Sequence, residues 1–168
     1  MTINDPVLGD ILCDMPKEKI KQNVETFLIK RKGYSKEEII ANYEFDVCIK
    51  DNIVKATADL VVRVNGKNAM VIMCAPPSTL VPYEMMALAC ARVLNIPLAI
   101  ATEWRETTIL DTYTGKVLGK SLDDIPERNK LKVEYKKIAE DKVEKAKRIL
   151  ITYLHILHCK CPGSCPIS

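Results

Sequence analysis

The feature that most constrains the fold is an apolar hairpin in the middle of the chain. A strand pattern runs from about Val54 to Val64, the dipeptide Asn65-Gly66 follows, and a second strand pattern runs from Ala69 to Ala75. Asn-Gly is the dipeptide most strongly associated with tight hairpin turns, because both residues tolerate positive φ. The second strand is apolar on both faces, which is typical of the centre of a covered sheet. The hairpin therefore predicts a sheet with other elements packed on both sides.

Helix and strand patterns around this hairpin predict a mixed α/β sheet. A helical pattern begins at Pro16 and ends at Gly33, and strict alternation from Tyr43 to Ile49 predicts a strand. After the hairpin, Pro82 to Asn95 predicts a helix and Leu98 to Ala101 a short strand, which together form a β-α-β crossover. Thr107 to Leu110 adds a further strand. The resulting order is α-β-β-β-α-β, with a mixed sheet flanked by helices.

A long helix is predicted at the C-terminal end. From Glu127 to Leu157, apolar residues recur every three or four positions. We therefore expect an α/β core over residues 1–126, an amphipathic helix over 127–158 packed on the same domain, and a cysteine-rich tail over 159–168. The opposite-charge pairs along this helix favour a solvated face, with a phosphate-binding stripe as the alternative.

Composition excludes several classes of protein. The chain has 168 residues, of which 48% are hydrophobic and 28% charged, a balance that excludes a disordered or collagen-like chain. A net charge of +3 is too small to predict nucleic-acid binding by itself. No apolar stretch is long enough for a membrane span, and the first residues carry no secretory pattern, so the expected location is the cytoplasm. Nothing in the sequence indicates an oligomeric state.

An acidic residue within an apolar strand focuses the search for chemistry. Asp59 lies between Ala58 and Leu60, where a carboxylate is unfavourable unless it is paired, hydrogen-bonded or bound to a metal. By alternation it shares a strand face with Arg63, so a salt bridge within the sheet is one explanation. With Arg63 as its best partner, the replacement Asp59→Asn is expected to be neutral or stabilising. A metal site is the other explanation.

The arrangement from Pro16 to Thr114 resembles the N-terminal domain of type I restriction enzyme R subunits, a branch of the PD-(D/E)XK nuclease superfamily. The resemblance rests on Lys32-Gly33-Tyr34 at the helix end, on Thr57 to Val62 and its hairpin, and on Ala91 to Pro97 followed by a strand. It implies a restriction-endonuclease-like fold and DNA as the ancestral ligand. It also implies that Asp59 matches the metal-binding aspartate and that Glu18 matches a glutamate of the first helix.

The rest of the expected catalytic motif is absent. The family's Glu-x-Lys on the third strand corresponds here to Met73 and Ala75, and its Gln-x-x-x-Tyr on the next helix corresponds to Met86 and Cys90. Mg²⁺ requires oxygen ligands, which a thioether and a methyl group do not supply. The pattern therefore predicts a pseudoenzyme that binds nucleic acid or serves as a scaffold, with DNA or another protein subunit as its partner and no cofactor at the ancestral site.

Two alternatives remain open at this point. An active Mg²⁺-dependent DNA endonuclease is possible if catalytic residues have migrated, with Glu84 and Arg63 as the substitutes. Alternatively, a thiol- or metal-responsive regulatory protein would act through its tail. There, Cys159, Cys161 and Cys165 have ligand types suited to Zn²⁺ or an iron–sulfur cluster, with His158 or Cys13 as a fourth ligand. The other four cysteines, which include Cys13, have apolar neighbours and are expected to behave as small hydrophobes.

Overall fold

The computed structural model describes residues 3–5, 9–11 and 16–158, and within that part the chain forms a mixed α/β sheet with helices on both faces, as predicted. The strands are β1 (Ile3–Asp5), β2 (Gly9–Ile11), β3 (Ile39–Ile49), β4 (Asn52–Val64), β5 (Lys67–Cys74), β6 (Leu98–Thr102), β7 (Thr107–Asp111) and β8 (Val117–Gly119). The helices are α1 (Pro16–Lys32), α2 (Leu80–Leu94) and α3 (Glu140–His158).

The main sheet has six strands in the order β3-β4-β5-β6-β7-β8, so neighbours in space are also neighbours in sequence. Only β5 and β6 run parallel within it, because α2 carries the chain across one face between them. The remaining neighbours pair antiparallel. Strands β1 and β2 form a separate two-stranded sheet.

The turns that end the central elements follow the sequence signals. Asn65 and Gly66 have φ values of 52° and 77°, as the tight turn between β4 and β5 requires. Gly33 ends α1 with φ of 81°, and the amide of Tyr34 then reaches back to the carbonyl of Leu28 at 3.1 Å. Asn95 ends α2 in the left-handed conformation.

Two apolar clusters fill the molecule, one on each face of the sheet. The first packs α2 and α3 against the sheet and includes Val61, Val71, Ala87 and Leu150. The second packs α1 against the opposite face and includes Val24, Leu28, Leu60, Ile72 and Ile100. Burial of β5 on both faces agrees with its continuous apolar pattern.

The predicted C-terminal helix is present but is shorter than expected. It begins at Glu140, whereas residues 131–139 are irregular and not helical. Tertiary contacts hold this part of the chain extended: the amide of Arg128 donates to the carbonyl of Lys32 at 2.8 Å, and the hydroxyl of Tyr135 donates to the carbonyl of Asn68 at 3.0 Å. The helical prediction for 127–139 is therefore wrong, because these contacts outweigh the local pattern.

Three of the seven cysteines lie in the part of the chain that the structure describes. Cys74 and Cys90 are buried, as expected of small hydrophobes, whereas Cys48 is exposed. The thiols of Cys13, Cys159, Cys161 and Cys165 lie outside the described residues. None of the helices in the described part of the chain combines the length and the apolar character that crossing a membrane requires.

Candidate functional site

Asp59 lies where β4 separates from β5, at the end of their paired section. The pairing runs through Leu60 and Ile72, and the next residues do not continue it. Instead, Oδ2 of Asp59 accepts a hydrogen bond from the backbone amide of Cys74 at 2.8 Å. The carboxylate thus takes the place of a strand carbonyl and ties the two diverging strands together.

The other oxygen of Asp59 is paired with a lysine from the first helix. Nζ of Lys17 lies 3.1 Å from Oδ1 of Asp59, and their side chains are 19% and 11% exposed. The same ammonium group lies 5.2 Å from the centre of the Tyr83 ring. Since the pair is largely removed from water, its charge attraction is stronger than that of a surface ion pair.

A second lysine lies one turn along the same helix. Lys21 is 1% exposed, and its ammonium group contacts Oε2 of Glu18 at 3.3 Å and Oδ1 of Asn42 at 3.2 Å. Asn42 lies on β3 between Ala41 and Tyr43, whose partners on β4 are Leu60 and Ala58. Glu25, another turn along α1, is also fully buried. Helix α1 therefore presents charged groups to the sheet beside its apolar residues.

Burial and the charge of Asp59 shift the pKa values of the neighbouring side chains. Burial lowers the pKa of Lys17, but the charge and hydrogen bond of Asp59, together with the nearby Tyr83, raise it more, so the pKa lies above its ordinary value of 10.5. Burial raises the pKa of the Cys90 thiol to about 12, and Asp59 adds to that effect. Burial and Asp59 likewise raise the pKa of Cys74 well above its usual range. Both thiols are therefore protonated and unreactive at neutral pH.

The four positions that correspond to Glu-x-Lys and Gln-x-x-x-Tyr lie together in one apolar cluster. Met73, Ala75, Met86 and Cys90 are all buried in the cluster between the sheet and α2. Tyr83 belongs to the same cluster. The side chains at these four positions therefore offer neither a carboxylate ligand nor a charge.

The structure does not bring the two proposed substitutes to Asp59. Oε1 of Glu84 accepts a hydrogen bond from the hydroxyl of Thr108 at 2.5 Å, and Thr108 lies on β7. Strand β7 is three strand spacings from β4, about 14 Å across the sheet. Arg63 instead donates from Nε to Oδ1 of its cross-strand neighbour Asn68 at 2.8 Å. The expected Asp59–Arg63 salt bridge is therefore replaced by the Lys17–Asp59 pair.

The donor set does not fit a divalent cation. Within the described part of the chain, no three His, Cys, Asp or Glu side chains form a group that could hold a metal ion. Asp59 contributes a single carboxylate, and a positive ammonium group already lies against it. Glu18, the expected acid of the first helix, contacts Lys21. The side chains of the cysteine-rich tail and of His158 lie outside the residues whose side chains are described.

The sequence that forms this site matches a known protein family. The model of the type I restriction enzyme R protein N terminus matches residues 16–126, which is well over half of the 168 residues. The chain belongs to this family. The range that matches the R protein N-terminal family contains both the strand that carries Asp59 and the helix that carries Lys17. Comparison with curated proteins and with solved structures gives no match.

Sequence reasoning placed Asp59 at the centre of the site of this R-protein N-terminal domain but missed Lys17 and Lys21. Their signal is present in the sequence: both lie next to the apolar positions Ile20 and Val24 on α1. A lysine bordering an apolar stripe is usually a solvated residue whose stem covers the core. Only the positions of β3 and β4 beneath α1 show that these two ammonium groups are directed inwards.

Proposed function

We propose that this chain is a catalytically inactive nuclease-like domain that binds nucleic acid in the cytoplasm without a metal ion. The observation that carries the proposal is the ammonium group of Lys17 at 3.1 Å from Asp59. In the resemblance described above, that carboxylate matches a ligand of the divalent cation. Here its counter-charge is the ammonium group of Lys17, and its other oxygen accepts a hydrogen bond from Cys74, so both oxygens already have partners other than a hard cation.

The proposal of inactivity follows from what phosphodiester hydrolysis requires. A metal-dependent reaction needs a cation held by several oxygens and a group that orients or deprotonates water. Met73 and Ala75 supply neither, and both are buried against α2. The binding function is supported by the family, which is named for a restriction enzyme subunit. Another protein subunit is a further partner that the family name makes reasonable.

One observation favours a second candidate, an active Mg²⁺-dependent endonuclease. Lys17 brings an ammonium group to Asp59 from α1, where the family pattern would bring one from β5. A lysine that has changed its position in the chain can orient a water molecule from either element. Neither Glu18, which contacts Lys21, nor Glu84, which contacts Thr108, supplies the second carboxylate that this candidate needs.

A paired cleavage and binding experiment separates the two candidates. We expect the wild-type chain to leave plasmid and single-stranded DNA intact in Mg²⁺ or Mn²⁺. We also expect it to bind a fluorescein-labelled oligonucleotide equally well in EDTA and in Mg²⁺, with an affinity that falls as salt rises. Calorimetric titration of Mn²⁺ into the protein should give no binding heat. Mn²⁺-dependent cutting that is lost in both Lys17→Met and Asp59→Asn would instead establish the second candidate.

A further inference from the structure

A groove runs along the outer side of α1, beneath the loop that follows β6. It consists of two adjoining hollows, of about 430 Å³ and about 380 Å³, and both are lined by Asn23 and Trp104. Trp104 therefore stands in the middle of the groove. The first hollow lies at the carboxyl ends of β5 and β6, the end of a parallel strand pair where ligands commonly bind in α/β sheets.

The indole of Trp104 is exposed but held in one position. The residue is 38% exposed and has φ of 80°, a left-handed conformation that is uncommon for a side chain of this size. Its backbone amide donates to Oγ1 of Thr102 at 3.0 Å, and its ring meets that of Phe27 edge to face, with the ring centres 6.4 Å apart. Trp104 therefore keeps a strained backbone conformation although its side chain belongs to neither apolar cluster.

Positive charges flank the indole on both sides. Lys19 and Arg105 line the first hollow, and Lys30 and Arg31 line the second. One acidic residue, Glu103, also lines the groove, and its carboxylate accepts a hydrogen bond from the backbone amide of Ser78 at 2.8 Å. The groove is therefore positive along its length, although the whole chain carries a net charge of only +3. This complements an extended anion.

We infer that this groove binds single-stranded nucleic acid, with a base stacked on Trp104 and phosphates against Lys19, Lys30, Arg31 and Arg105. An aromatic platform between cationic groups is the common arrangement for binding single strands. A base within a duplex has both faces covered by its neighbours, so only an unpaired base can stack on the indole. Residues 19–31 of α1 extend about 18 Å, the length of about five nucleotides of a helical strand. The inference rests on the proposed nucleic-acid binding.

The groove is separate from the Asp59 site, although both use the first turns of α1. Lys17 is directed towards Asp59 and Tyr83, whereas Lys19 lies on the outer side of the helix. Binding in the groove therefore does not require the carboxylate, the buried lysine or a metal ion. Substitutions in the two places should have independent effects.

Intrinsic fluorescence tests the groove directly, because Trp104 is the only tryptophan of the chain. We expect oligo(dT) to quench its emission, and anisotropy of labelled oligo(dT) to report the same affinity. The change Trp104→Ala should weaken binding about tenfold, and Trp104→Phe, which keeps a stacking ring, only about twofold. The double change Lys30→Gln with Arg31→Gln should weaken binding about tenfold and reduce its salt dependence. Its matched control is Lys50→Gln with Lys120→Gln, which removes the same charge from two exposed positions elsewhere and should change affinity less than about twofold.

Three results would overturn the inference. If anisotropy shows binding while Trp104 emission and the Trp104→Ala affinity stay unchanged, the groove is not the site, and the proposed function stands. If no oligonucleotide binds in the anisotropy assay, the proposed nucleic-acid binding fails and the groove assignment fails with it. If poly-glutamate quenches Trp104 with the same affinity as oligo(dT), the groove recognises negative charge alone, and an acidic protein is its partner. Unfolding curves of each variant confirm that affinities are compared between folded proteins.

Discussion

The two oxygens of Asp59 contact two different partners, and these contacts change the effect on stability that we expect from replacing it. With Arg63 as its only neighbour, the carboxylate would be an uncompensated charge, and Asp59→Asn would be neutral or stabilising. The structure instead pairs it with Lys17 and with the amide of Cys74. An asparagine can still accept the hydrogen bond from Cys74, but it leaves the Lys17 ammonium group without its counter-charge.

We therefore expect Asp59→Asn to lower the free energy of unfolding by about 1–3 kcal/mol, the cost of leaving a largely buried charge unpaired. The measurement is urea unfolding at pH 7. Asp46→Asn is the matched control, because Asp46 pairs with Lys55 at 2.7 Å on the same sheet but both side chains are exposed. That change should cost less than about 0.5 kcal/mol. Equal effects of the two substitutions would contradict the role assigned to the Lys17–Asp59 pair.

The same pair predicts how stability depends on alkaline pH. The pKa of Lys17 is raised above 10.5 in the folded protein, so folding favours the protonated amine. The resulting stabilisation is fully present below pH 10.5 and is lost as pH rises through the folded pKa. The stability difference between the wild type and Lys17→Met should stay constant from pH 9 to about pH 10.5 and shrink above it up to pH 12, measured by urea unfolding at each pH. A difference that stays constant across this range would show that the charge of Lys17 contributes nothing.

At the level of elements, the extended segment before α3 shows how tertiary contacts override a helical pattern. Leu131 and Val133 pack against the α1 cluster while Lys132 and Glu134 are more exposed, an alternation that belongs to an extended chain. Hydrogen bonds from Arg128 and Tyr135 hold the segment before and after these residues. Stabilisation of this segment therefore comes from contacts with α1 and β5 and not from helix formation.

Glycine substitutions distinguish the extended segment from the helix. Lys137→Gly, in the irregular part, should change the free energy of unfolding by less than about 0.5 kcal/mol. Lys145→Gly, at an exposed position of α3, should cost about 1 kcal/mol, because glycine loses more conformational entropy in a helix. Thermal unfolding of both variants provides the comparison. A similar loss at both positions would indicate that the helix starts near Glu127.

For the whole molecule, the two apolar clusters account for folding without the cysteine-rich tail. Helix α3 contributes Ala146 and Leu150 to the first cluster, and both precede residue 158. We expect a chain truncated after Leu157 to fold with an unchanged unfolding midpoint, because no core residue described here is removed. Elemental analysis of the full chain should be run beside it. Loss of folding on truncation, together with zinc or iron bound to the full chain at a fixed ratio, would establish a structural metal site in the tail.

Much of the fold was predictable because its signals are local. The alternation in β3, the Asn65-Gly66 turn and the ends of α1 and α2 at Gly33 and Asn95 depend on residues that are close together in the chain. Order and spacing of these elements were enough to identify the family. The candidate site was predictable only in part. Asp59 was found because a carboxylate in an apolar strand is unusual, but its partners were assigned wrongly.

The sequence alone determined the mixed sheet, the order of its central elements and the absence of Glu-x-Lys from β5. Each of these depends on residue type at a given spacing. Only the tertiary structure decided that Lys17 pairs with Asp59, that residues 131–139 are extended, and that Trp104 stands in a positive groove along α1. Periodicity shows which side of an element is covered but not by which residue. The partner of a charged or aromatic side chain depends on how elements distant in the chain pack together, and no local pattern records that packing.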